Sequence, residues 1–117
     1  MSARRRSSAV AARRLHRSAP VFAALGDETR LSLVAELSGG SPRSIAQLTQ
    51  RRTLTRQAVT KHLRVLEGAG LVRAVRRGRE SLFELEPDSL EDARRALEDI
   101  SRQWDQALAS LKSFVER

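Results

Sequence analysis

The sequence contains no cysteine. Disulfides, thiolate metal sites and thiol redox switches are therefore excluded. Aromatic residues make up only 3% of the 117 positions, against 40% for hydrophobic residues as a whole. A core must then be built from Leu, Val and Ala, which suits a helix-rich protein, and a chain of this length supports one modest core. No run of roughly 18 apolar residues occurs, so no segment reads as a membrane-spanning helix, and no membrane partner is expected. Histidine is scarce: His16 and His62 are the only two. There is also no glycine-rich phosphate loop, no metal triad and no serine beside a general base. An enzyme is the least supported function class, and no catalytic residue, metal ligand or cofactor is assigned.

Acid is missing where base is densest. Residues 1–17 hold six Arg and no Asp or Glu, residues 18–86 carry +4, and residues 87–117 carry −2, within a net charge of +8. A basic front and a mildly acidic tail suggest that one surface meets a polyanion and another does not. The divisions follow this asymmetry: a basic flexible arm over 1–17, a core over 18–86 and a terminal helix over 87–117. The arm has three readings: a segment that follows DNA, a solvated tail, or an organellar presequence. A secretory signal does not fit, because no apolar segment follows the arginines.

Local signals place the elements. Val21, Phe22 and Leu25 fit a short helix ended by Gly26. Asp27 caps a second helix, with Leu31, Val34 and Leu37 at helical spacing and Leu33 beside them. Ser44 and Gln47 form a capping box for a third helix, with Ile45 and Leu48 inward. The stretch 52–55 is a short turn, and Thr55 caps a fourth helix that Gly68 and Gly70 end. Leu71 to Leu85 then reads as two antiparallel strands joined at Gly78, which can supply the positive φ of a tight hairpin. After Pro87 a heptad stripe runs through Leu90, Ala93, Leu97, Ile100, Trp104, Ala107, Leu111 and Phe114.

The fourth helix has two kinds of face. At 100° per residue, Arg56, Thr60, Arg64, Gln57 and Lys61 span an arc of about 140°, and Val59, Leu63 and Leu66 a separate arc of about 60°. Arg and Lys can fork onto guanine, Gln onto adenine, and a Thr methyl can touch thymine. The N-terminal turn of such a helix points at the bases. A polar-faced helix alone is more often a solvated surface. Its neighbours change that: nine basic residues and one acid lie between 51 and 79, and the hairpin that follows has a basic tip. A helix, a turn, a polar-faced helix and a basic hairpin are the layout of a winged helix-turn-helix, mostly α with a small β-hairpin. In it the wing tip lies along the backbone or minor groove. Double-stranded DNA is the expected partner, with Thr55, Arg56, Gln57, Thr60, Lys61, Arg64, Arg76, Arg77 and Arg79 as contact residues.

The segments ALGDETRLSLVAEL and QAVTKHLRVLEGAGLV, followed by the basic hairpin, resemble the ArsR/SmtB family of bacterial winged-helix transcriptional regulators over about residues 20 to 86. The resemblance implies a homodimeric, cytoplasmic repressor on an inverted-repeat operator, paired through its first and last helices. The stripe on the last helix points the same way, and Phe22, Leu97, Ile100, Trp104, Leu108, Leu111, Phe114 and Val115 are the expected interface residues. The sequence departs from the family's metal-sensing patterns: Ser44, Ala46 and Leu48 stand where one site type has cysteines, and no histidine follows His62. The metal-independent type is the better match. A metal or small-molecule sensor, and a winged-helix module for protein or RNA, stay as alternatives, and the small-molecule effector is unknown.

Overall fold

The computed structural model describes residues 3–116 of the chain. In order it contains α1 (Ala3–Leu25), α2 (Glu28–Leu37), β1 (Arg43–Ser44), α3 (Ile45–Thr49), α4 (Arg56–Gly68), β2 (Val72–Arg77), β3 (Glu80–Leu85) and α5 (Pro87–Val115). Leu33, Leu48, Val59, Leu63, Leu66 and Leu71 are fully buried where α2, α3 and α4 meet. Each contributes about 1.5–3 kcal/mol by leaving water.

The caps form as their sequences require. The Asp27 carboxylate accepts from the Arg30 amide at 2.9 Å. Ser44 and Gln47 make a reciprocal capping box, with Gln47 Oε1 accepting from the Ser44 amide at 2.9 Å. Thr55 Oγ1 accepts from the Ala58 amide at 3.1 Å and starts α4. Between β2 and β3 only Gly78 and Arg79 intervene. Gly78 has φ 62 while Arg79 is not in the positive-φ region, as a type II′ hairpin turn needs.

Four expectations change. First, the segment 1–17, expected as a flexible arm, is helical from Ala3 onward and continues into the helix expected to begin near Val21. Met1 and Ser2 lie outside the described residues. The helix passes Pro20 because its inner side, Ser18, Val21 and Ala24, is buried, and α1 lies along α5. Second, the sheet has three strands, not two. The two-residue β1 pairs antiparallel with β3, Arg43 opposite Phe83 and Ser44 opposite Leu82. Third, α2 buries Leu33, Val34 and Leu37 and exposes Leu31, which lies more than about 100° round the helix from the centre of that stripe. Fourth, α3 ends at Thr49, so the connection to α4 runs over residues 50–55 and is longer than the turn expected over 52–55.

The heptad stripe on α5 is also divided. Leu90 and Ala93 pack into the core of the same chain, after which the buried positions are Ala96 and Asp99, toward α1. Arg14 of α1 donates to Asp99 Oδ2 at 2.8 Å, and Arg102 pairs with the other carboxylate oxygen. Leu97, Ile100, Trp104, Leu108, Leu111, Phe114 and Val115 remain exposed, Trp104 at 64% and Phe114 at 70%. Phe22 differs from these residues: it is partly buried against the core.

Candidate nucleic-acid interface

The inward face of α4 is Val59, Leu63 and Leu66, and it sets the direction of the outward one. Arg56, Gln57, Lys61 and Arg64 are exposed, and Thr60 is half-buried with its hydroxyl donating back to the Arg56 carbonyl at 2.7 Å. Thr60 therefore offers outward its methyl group and an acceptor lone pair, with its proton already used. Thr55 is exposed, but its hydroxyl oxygen serves as the cap. His62 lies away from the donor face, with Nδ1 3.8 Å from Asp27 Oδ2. The Arg30 amide holds the Asp27 carboxyl below the usual carboxylate range, and the positive charge of Arg30 adds to that effect.

The nine basic residues between 51 and 79 fall into two groups. Arg52 is a fastener: its guanidinium donates to Glu36 Oε1 at 3.1 Å, to Ser32 Oγ at 3.1 Å and to the Leu48 carbonyl. It ties the turn before α4 to α2 and α3. Arg73 lies across Glu84 at 2.8 Å and Glu86 at 3.1 Å. Arg64 reaches Glu67 at 3.0 Å in an exposed pair, which water screens strongly. Among the described residues, Arg51, Arg56, Lys61, Arg76, Arg77 and Arg79 make no ion pair. These free cations mark the start of α4 and the tip of the hairpin. Arg76 and Arg77 are neighbours on β2, so they project to opposite faces of the ribbon.

A surface of this kind presents fixed cations and amide donors on a helix and a ribbon. Comparisons with known proteins agree with its shape. A family model described as a helix-turn-helix domain matches residues 25–75. The chain is 32% identical over 93 residues to the HTH-type transcriptional regulator Rv2034 of Mycobacterium tuberculosis, spanning 80% of this chain and 83% of the relative. It is 44% identical over 75 residues to the uncharacterized HTH-type transcriptional regulator YuzN of Bacillus subtilis, spanning 57% of this chain and 82% of that one. An ArsR-like transcriptional regulator from Rhodococcus sp. RHA1 superposes with a TM-score of 0.72 at 40% identity, over 85% of this chain and 92% of the other.

The chain belongs to the ArsR-like family of transcriptional regulators.

As a helix-turn-helix transcriptional regulator it is a DNA-binding protein. In this ArsR-like chain, α3 and α4 form the helix-turn-helix and β2–β3 the wing. No helix among the described residues is long and apolar enough to cross a membrane. Arg56, Gln57, Lys61, Arg76, Arg77 and Arg79, expected as contact residues, are each exposed, and the five cations among them make no ion pair among the described residues. Sequence reasoning missed the anchoring of Arg52, whose partner Glu36 is 16 residues away. A long-range pairing of that kind leaves no local signal. It also missed the Arg14–Asp99 pair between α1 and α5.

Proposed function

We propose that the protein is a homodimeric repressor that binds an inverted-repeat operator, with α4 of each protomer in a major groove and each wing tip on the adjacent backbone. The observation that carries this reading is the exposed, unpaired set of Arg56, Gln57 and Lys61 on α4, with Arg76, Arg77 and Arg79 on the wing. Arg56 and Gln57 occupy the first turn, where a recognition helix meets base edges. Thr60 and Arg64 lie within the same face, and Thr55 caps the helix beside it. Two such helices on a two-fold axis would read half-sites about 34–36 Å apart.

The pairing surface is the exposed part of the α5 stripe, Leu97, Ile100, Trp104, Leu111 and Phe114, with Leu108 and Val115 next to it. Contiguous apolar surface of this kind is a standard mark of an interface, and Phe22 contributes only its exposed part. We read the protein as cytoplasmic, non-enzymatic and of the metal-independent type; the last part is supported by the absence of cysteine and of any histidine after His62, which leaves α5 only carboxylates, poor ligands for a transition metal. Selection from random duplexes tests the reading. An enriched inverted repeat with half-sites one helical turn apart is expected. Enrichment of no sequence, with binding equal to that of heparin, would refute it.

A further inference from the structure

Against α3 lies a polar cavity of about 230 Å³, lined by Glu36 of α2, Arg43 of β1, Gln47 of α3, and Gln50 and Arg51 of the following turn. Arg43 is half-buried, and its Nε is sealed from water without a hydrogen-bond partner among the described residues. An atom closed to water is closed to an anion in the cavity as well, so Arg43 contributes its charge to the cavity rather than its Nε–H. Arg51 is exposed and makes no ion pair among the described residues. Glu36 is the single acid in the lining, and Arg52 already neutralises it at 3.1 Å. Gln47 is held by its capping box: Oε1 accepts from the Ser44 amide, so the free end of the side chain is its NH2 donor. The cavity is therefore rich in donors and positive charge and short of acceptors. Its complement is an anion with several acceptor oxygens.

The position of the cavity narrows the choice of anion. Gln47 and Gln50 also line a second, open cleft with Ala46, Thr49 and Arg56. Arg56 is the first residue of α4. Gln47 and Gln50 thus connect the cavity to a cleft that reaches the first turn of α4. A groove that admits that turn is bordered by the phosphates of its own strands. A guanidinium pair backed by amides suits a phosphodiester.

We infer that this cavity is a backbone-phosphate clamp, in which Arg43, Arg51, Gln47 and Gln50 hold a phosphodiester flanking each half-site while α4 reads the bases. The inference rests on the placement of α4 in the major groove proposed above.

The test uses the full-length protein, its selected duplex and a scrambled duplex, titrated by fluorescence anisotropy at several salt concentrations. Arg51→Gln and Arg43→Gln are each expected to weaken both duplexes alike, by about tenfold. The slope of log K against log salt should fall by about 0.9 for each lost phosphate contact, with base preference unchanged. Unchanged affinity and slope, or a change in base preference instead, would overturn the inference. Should Arg43→Gln fail to fold, Arg51→Gln decides the matter, since its side chain is exposed and unpaired. Inorganic phosphate without DNA, followed by amide chemical shifts of Gln47 and Gln50, distinguishes the source. Weak, non-saturating shifts at millimolar phosphate are expected. Tight saturable binding lost in both variants would assign the cavity to a free anion and overturn the DNA assignment. If the wild type prefers no duplex at all, the proposed function fails first, and that outcome is distinct from a wild type that binds alongside unaffected variants.

Discussion

Gln57 and Arg79 are both exposed polar residues, yet their removal should read out differently. Gln57 is on the first turn of α4 and can make a two-point bond to one base, so Gln57→Ala should narrow the gap between selected and scrambled duplexes by about 1–3 kcal/mol. Arg79 sits at the hairpin turn. Arg79→Ala should weaken all duplexes together and reduce the salt slope by about 0.9. Competition anisotropy at two salt concentrations separates the two patterns. Asp27 offers a test of folding. Its carboxyl lies below the usual range because the Arg30 amide binds the ionised form. A depressed folded-state pKa contributes stability above the unfolded pKa that is lost as pH falls through the folded value. Asp27→Asn keeps a capping side chain without the charge. The gap in Tm between wild type and variant should therefore be widest near neutrality and close in acid. The chemistry of these residues was legible; which arginines are available was not. Arg52, Arg56 and Arg73 look alike in a sequence, and only the fold brings Glu36 to Arg52 and Glu84 to Arg73.

Among the elements, α4 is the most strongly specified. Its cap, its buried stripe and its terminating glycines all lie within a few residues of one another, so each signal is local. Thr55→Ala should cost about 1 kcal/mol of stability by freeing the Ala58 amide. Urea midpoints measure it, with an unchanged m-value expected because the exposed surface is the same. Strand β1 shows the opposite case. Two residues carry no period, and Arg43 and Ser44 become a strand only because β3 offers an open edge opposite them. Helix α1 is similar. Arg- and Ala-rich sequence before Pro20 reads as a tail, but burial of Ser18, Val21 and Ala24 extends the helix through it.

The whole molecule is elongated. Its radius of gyration is 18.8 Å and its extents are 65 × 31 × 21 Å, whereas a compact chain of this length would have a radius near 13 Å. The excess comes from α1 and α5, which run along each other, α5 for 29 residues. One chain cannot cover both sides of that helix, so Trp104, Leu108, Leu111 and Phe114 stay bare. A chain cut after Ile100 should sediment as a monomer, lose most of its operator affinity and show a Tm independent of protein concentration, unlike the full chain. A truncated dimer with full affinity would rule out α5 as the pairing element.

The sequence by itself determined the two-faced α4, the helix caps, the Gly78 turn and the apolar stripe on α5. Each is written in the spacing of residues no more than about a turn apart, and physics acts there before any tertiary contact forms. The tertiary structure alone decided which arginines are free and which are fastened, that Ala96 and Asp99 face α1 while Leu97 and Trp104 do not, and that Arg43, Gln47 and Arg51 share one cavity. Those outcomes depend on groups distant in the chain meeting at a few ångströms, and no local pattern encodes such a meeting.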